Sequence, residues 1–246
     1  LMPIANVRAA LGAGPKGHPF TAAQLADSPL VLYKMDETSG TVMKDSGSIS
    51  SNGTYDTASP PTLATRSIFG LTAPDFSDDL ATYPDTTALA AYHSGLTGVG
   101  TWELLFRIDG GASNDYLITT ANITQVVLYV YQGAKQVVSQ VRNTASGQVF
   151  SMASGGSAFA YDTDYHLVLT YDRGAEESEL WLNGVSIASD VVLNTATSTG
   201  ETTDDIIIGA VDLTGAAGVD GAICSVAQYP TALTDTQIAA HYAALS

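Results

Sequence analysis

From Leu30 onward the chain is one short β-branched or aromatic run after another, each closed by a cluster of Gly, Asn, Asp or Ser. Such runs suit a pleated, half-buried surface and are too short to be helices. They begin at Leu30 (LVLYKM), Thr101 (TWELLFRI), Tyr116 (YLITT), Gln125 (QVVLYVY), Gln136 (QVVSQV), Tyr165 (YHLVLTYD), Glu179 (ELWLNG), Asp205 (DIIIG) and Ala222 (AICSVAQY). In TWELLFRI a period of two puts Trp102, Leu104, Phe106 and Ile108 on one face and Glu103 and Arg107 on the other, which predicts a strand with one buried face. So many strands without intervening helices specify an all-β fold.

Two local signals sharpen the outline. Asn183-Gly184, between ELWL and VSIA, predicts a two-residue hairpin, because both central positions of a type I′ turn need positive φ. Thr234-Asp235-Thr236-Gln237 is a capping box followed by Ile238, Ala239, Tyr242 and Leu245 at helical spacing, which predicts one C-terminal helix lying on the sheets.

The first 27 residues read differently. Gly12-Ala13-Gly14-Pro15-Lys16-Gly17-His18-Pro19 suits neither helix nor strand. Thr21-Ala22-Ala23-Gln24 matches a capping box, so one short helical turn is expected before Pro29. The expected organisation is an irregular N-terminal arm over residues 1–27, offering Ile4, Val7, Leu11 and Phe20 to a docking surface on this domain or a neighbour, and one domain over 28–246. With 246 residues and 45% hydrophobic content the chain can enclose one large core.

Charge narrows the partners. Nine basic residues against 25 acidic ones give a net charge of −16, which repels a phosphate backbone, so no nucleic-acid partner is expected. No charged-then-apolar leader opens the chain and no apolar run approaches the roughly 20 residues that span a bilayer, so neither that secretion route nor membrane insertion is expected. Cys224 is the only cysteine, and AICSV around it predicts a buried strand.

Three blocks resemble the laminin-G-like, concanavalin A-like lectin/glucanase jelly roll. They are Leu32–Gly40 with Asp45-Ser46-Gly47 and Asn52-Gly53-Thr54-Tyr55, then Tyr165 to Ser189, then Asp205 to Gly209 with Val219 to Tyr229 and the ALTDTQIAAHY helix. The resemblance covers most of residues 30–246 and implies a two-sheet antiparallel jelly-roll sandwich. The domain is also similar to those found on tailed-phage structural proteins. Because the family holds adhesion modules, carbohydrate binders and virion proteins, fold alone does not choose among them.

The residues that could carry chemistry are few. Trp181, Tyr129, Tyr131, Tyr116 and Tyr92 offer rings on which the C–H face of a sugar could stack, with core packing as the competing role. Asp45 and Asn52 flank a Ser/Gly-rich loop able to wrap Ca2+, with Asx-type turns as the competing role. Glu177-Ser178-Glu179 and Asp162-Thr163-Asp164 have alternate spacing but read as polar turns, so no carboxylate pair for glycoside hydrolysis is expected. The four histidines, His18, His93, His166 and His241, lie in unrelated segments without metal spacing. The expected function is therefore a non-enzymatic structural or adhesion subunit at a virion surface. It would be held by its arm to other virion subunits, self-associated or in many copies, and open to a host-surface glycan. A free-standing carbohydrate-binding module and a glycanase are the alternatives.

Overall fold

The computed structural model describes residues 17–58, 60–77, 80–83, 98–111, 114–120, 126–142, 148–172, 174–191, 205–214 and 217–246. Their strands form two antiparallel sheets packed face to face. The first runs β14 (Val185–Val191), β13 (Glu177–Leu182), β12 (Tyr165–Asp172), β7 (Val99–Ile108), β16 (Gly221–Tyr229), β5 (Leu71–Asp75), β4 (Thr62–Ile68), with β1 (Val31–Tyr33) also on β16. The second runs β11 (Gln148–Ala153), β10 (Gln136–Arg142), β9 (Val126–Tyr131), β8 (Asn114–Thr120), β15 (Ile206–Ile208), β6 (Ala81–Tyr83), β3 (Gly53–Tyr55), β2 (Val42–Met43). Every predicted run overlaps a strand. The β4–β5 hairpin, whose strands hold few β-branched apolar residues, strand β11 and the short strands β2, β3 and β6 were not anticipated.

The core lies between the inner faces. Trp102, Leu104, Phe106 and Ile108 of β7 meet Leu117, Val126, Leu128 and Val130 of the second sheet, all fully buried. Cys224 is buried in β16 as expected, and burial pushes its thiol pKa far up. Asn183 (φ 52°) and Gly184 (φ 73°) form the predicted hairpin turn between β13 and β14.

Both helices lie on the outer face of the first sheet. Helix α1 (Pro19–Ala26) starts two residues before the Thr21 capping box: His18 caps it through Nδ1 to the Phe20 N–H (3.3 Å), and Pro19 needs no partner at the first position. It ends where Ser28 turns left-handed (φ 57°) ahead of Pro29. Thus residues 19–26 are helix rather than irregular arm, and of the two docking surfaces expected for Phe20 it takes the one on its own domain, where it is buried. Residues 1–16 lie outside the described residues. Helix α2 (Asp235–Ala243) has the predicted capping box, with the Gln237 N–H donating to Thr234 Oγ1 (3.4 Å) and the Thr234 N–H to Gln237 Oε1 (2.9 Å). Its buried residues are Ile238 and His241, and Leu245 is buried just beyond its end; of the others expected on that stripe Tyr242 is half-buried and Ala239 exposed.

Candidate functional site

The second sheet leaves an aromatic face open. Along β9, Val126, Leu128 and Val130 point into the core, so alternation turns Val127, Tyr129 and Tyr131 outward. Register sets two rows across three strands: Asn114, Tyr131 and Gln136, then Tyr116, Tyr129 and Val138. The Tyr116 and Tyr129 rings stack at 5.1 Å and 24°, and Tyr131 is 46% exposed. Gly133 holds Tyr131 closely, since a Cβ there would stand 2.9 Å from its hydroxyl. In the next turn the Lys135 ammonium lies 3.9 Å above the Tyr161 ring, whose hydroxyl donates to Gln132 Oε1 (2.6 Å). Gln132 donates in turn to Gly110 O (2.9 Å) and to the buried Asp115 carboxylate. This polar chain braces the turn beside Tyr131.

The other predicted residues are placed differently. Trp181 is only 8% exposed and packs with Leu32, Val168, Ala227, Tyr229, Leu233 and Ile238 beneath α2, so it offers no ring to a ligand. Tyr92 lies outside the described residues. Asp45 is the centre of a tight loop: Oδ1 accepts the N–H groups of Leu32 (2.9 Å) and Gly47 (2.7 Å), and Oδ2 accepts that of Ser51 (2.8 Å). Asn52 Oδ1 accepts the Asp45 N–H (3.0 Å). Backbone hydrogens thus converge where a cation would need bare oxygen, so this donor set does not fit calcium.

Glu177 and Glu179 lie in strand β13 rather than in a turn. They line a groove of about 630 Å³ with Asp172, Asp190 and Asp235, and Glu179 accepts from the Ser186 hydroxyl. Asp164 lies in irregular chain just before β12 and accepts from Arg107 Nε (2.7 Å) and the Phe69 N–H (2.8 Å).

A family model described as the Concanavalin A-like lectin/glucanases superfamily matches residues 78–239, more than half of the chain. The chain belongs to this superfamily. The lectin-type sandwich is similar to the botulinum neurotoxin serotype D binding domain at 11% identity and TM-score 0.64, over 88% of this chain and 52% of that one. It is similar to the CBM40 of Ruminococcus gnavus IT-sialidase bound to α2,3-sialyllactose at 19% identity and TM-score 0.52, over 69% and 91%. It is also similar to Trypanosoma rangeli sialidase in complex with sialic acid at 13% identity and TM-score 0.62, over 87% and 32%. The chain therefore spans about half of the toxin domain and a third of the sialidase. No curated protein sequence matches it.

One cluster of this lectin-type domain escaped sequence reasoning. Glu103, assigned to a solvated face, is fully buried under both helices. Its Oε1 meets His166 Nε2 (2.7 Å) and His241 Nδ1 (2.9 Å), and its Oε2 accepts from Gln24 Nε2 (3.1 Å) and the Tyr229 hydroxyl (2.6 Å). Burial alone would raise its pKa, but the hydrogen bonds and charge of the two imidazoles outweigh it and hold the carboxyl well below the usual range. A signal was present in the sequence: Leu105 and Val168 occupy the supposedly wet face of their strands, which makes sense only if that face is covered.

Proposed function

We propose that this chain is a non-enzymatic carbohydrate-binding module that reads a glycan with the outer face of its second sheet. The carrying observation is the exposed Tyr131 beside the stacked Tyr116–Tyr129 pair. Rings so placed suit the C–H face of a pyranose, and the amide of Asn114, opposite Tyr131, suits its hydroxyls, while Gln136 on the other side is held by its Nε2 donating to Ser154 O (2.7 Å). Membership of a lectin/glucanase superfamily and the sialylated ligands of the R. gnavus and T. rangeli proteins support a saccharide as the ligand class. The reading assigns no turnover to this face, where Asp115, the carboxylate of β8, is buried and bonded to Gln132.

The test is a glycan array of sialylated and neutral oligosaccharides, followed by titration of Tyr131→Ala. The expected result is at least about tenfold weaker binding, or 1.4 kcal/mol, at an unchanged melting point. Equal binding by the variant, or no ligand on the array, refutes the reading. Reducing-sugar release that disappears in Glu177→Gln or Glu179→Gln would move the activity to the acidic groove. In its narrower form the proposal places the module in many copies on a virion as an attachment subunit, because one shallow aromatic face binds weakly and gains from multivalency. Copy number per particle, read by mass spectrometry, tests that form.

A further inference from the structure

His241 lies between two acids. Its Nδ1 is 2.9 Å from Glu103 Oε1 and its Nε2 is 2.9 Å from Asp27 Oδ2. An ionised carboxylate only accepts hydrogen bonds, so both ring nitrogens must carry hydrogen and the ring must be an imidazolium. Asp27 is the C-cap residue of α1, Glu103 stands on β7, and His241 belongs to α2. One protonated ring therefore joins both helices to the sheet. We infer that His241 is the proton-operated latch of a clasp that holds α1 on the sandwich and releases it on the alkaline side.

Gln24 also ties α1 to the sheet, donating to Glu103 Oε2 (3.1 Å) and Ser225 O (3.3 Å) and accepting from the Ser225 hydroxyl (2.7 Å), and the His241 ring adds the proton-dependent contact. Glu103 faces it from β7, with His166 of β12 and the Tyr229 hydroxyl of β16 on the same carboxylate; Asp27 faces it after α1. On α2, Tyr242 stacks on His166 at 6.0 Å. Among the described residues the salt bridges of Glu103 and Asp27 are with these imidazoles, not with Lys or Arg. Burial lowers the pKa of His241, and the two carboxylates raise it by more, so it sits above the usual value. Stability from a raised group is complete below the unfolded imidazole pKa and is lost as pH climbs to the folded one. A neutral ring keeps one N–H and turns a lone pair toward the other carboxylate. Tyr229 does not interfere, because burial and then Glu103 push its ionisation far above 10. The released segment carries Phe20, whose ring now stands edge-on to His166 (5.5 Å) and His241 (6.2 Å).

Hydrogen exchange of the full chain, followed by mass spectrometry from about pH 6 to 9 and corrected for intrinsic rates, reads the latch directly. Protection of residues 19–27 should fall about tenfold per pH unit above the ordinary imidazole value and then level off, while β8 and β9 stay unchanged. Asp27→Asn removes one charge from a part-exposed cap and should make the fall level off at a lower pH. A wild-type α1 with no such slope, or levelling off at the same pH in Asp27→Asn, overturns the inference. Nitrogen-15 imidazole shifts give a second readout that needs no variant. Both nitrogens of His241 should be protonated at neutral pH, and a neutral tautomer there overturns the latch.

Discussion

Phe20→Ala separates a docked helix from a loose arm. Phe20 has no exposed surface and belongs to the main core cluster, where its edge meets two imidazoles. Truncating a buried Phe costs about 3–5 kcal/mol, made up of lost transfer energy and the cavity left behind. Against a typical domain stability of about 5–15 kcal/mol this is a large share. For a domain of this size each kcal/mol moves the midpoint by about 2–4 °C, so the melt should fall by about 6–20 °C. Leu25 is the internal control: it lies on the same helix but is 45% exposed, so Leu25→Ala should stay within about 0.5 kcal/mol of the parent. Calorimetric or fluorescence melts of the two variants suffice. Equal midpoints would mean that α1 does not bury Phe20 in solution, and a chain starting at Ser28 would then keep its sandwich intact.

Three further outcomes are expected. Gly184→Val should lower the denaturation midpoint by about 1–2 kcal/mol or more, because a β-branched residue resists φ of 73° and its Cβ would stand 3.0 Å from the Tyr242 ring; an unchanged midpoint refutes the hairpin geometry. A chelator should leave the melt unchanged, whereas Asp45→Ala should destabilise by about 1–3 kcal/mol as buried N–H donors lose their acceptor; a chelator-induced drop would restore calcium to this loop. Glu103 has a lowered pKa, so its stabilisation is present above the unfolded carboxylate value near 4.5 and is lost as pH falls toward the folded one. Urea midpoints measured down the acid limb should therefore fall less steeply in Glu103→Gln than in the parent, provided that variant folds, and parallel limbs would count against a charged Glu103.

Features set by neighbouring residues were readable in advance. The Asn183-Gly184 turn, the Thr234–Gln237 box and the inward row of TWELLFRI each depend on two to eight consecutive residues, and each occurs as expected. What failed depends on distant partners. Glu103 meets Gln24, His166 and His241 across separations of 79, 63 and 138 residues, which no local period encodes. Trp181 looked available because alternation assigns a face without saying what lies on it, and α2 covers that face. The N-terminal capping box misled because Pro19, with φ already set for a helix, lets the helix start earlier under His18. Tyr129 and Tyr131 were selected by residue type, and only the register with Tyr116 and Asn114 makes them a surface.

Both helices sit on the outer side of the first sheet, and the tyrosine rows sit on the outer side of the second. A two-layer sandwich therefore has a helix-covered side and a tyrosine side. A tether attached after α2 leaves from the helix-covered side, so coupling the domain to a bead or sensor chip through its C-terminal end leaves the tyrosines facing the solution. Random coupling through surface lysines gives no such orientation, and Lys135, beside Tyr161 near the tyrosine side, is one of the groups it would modify.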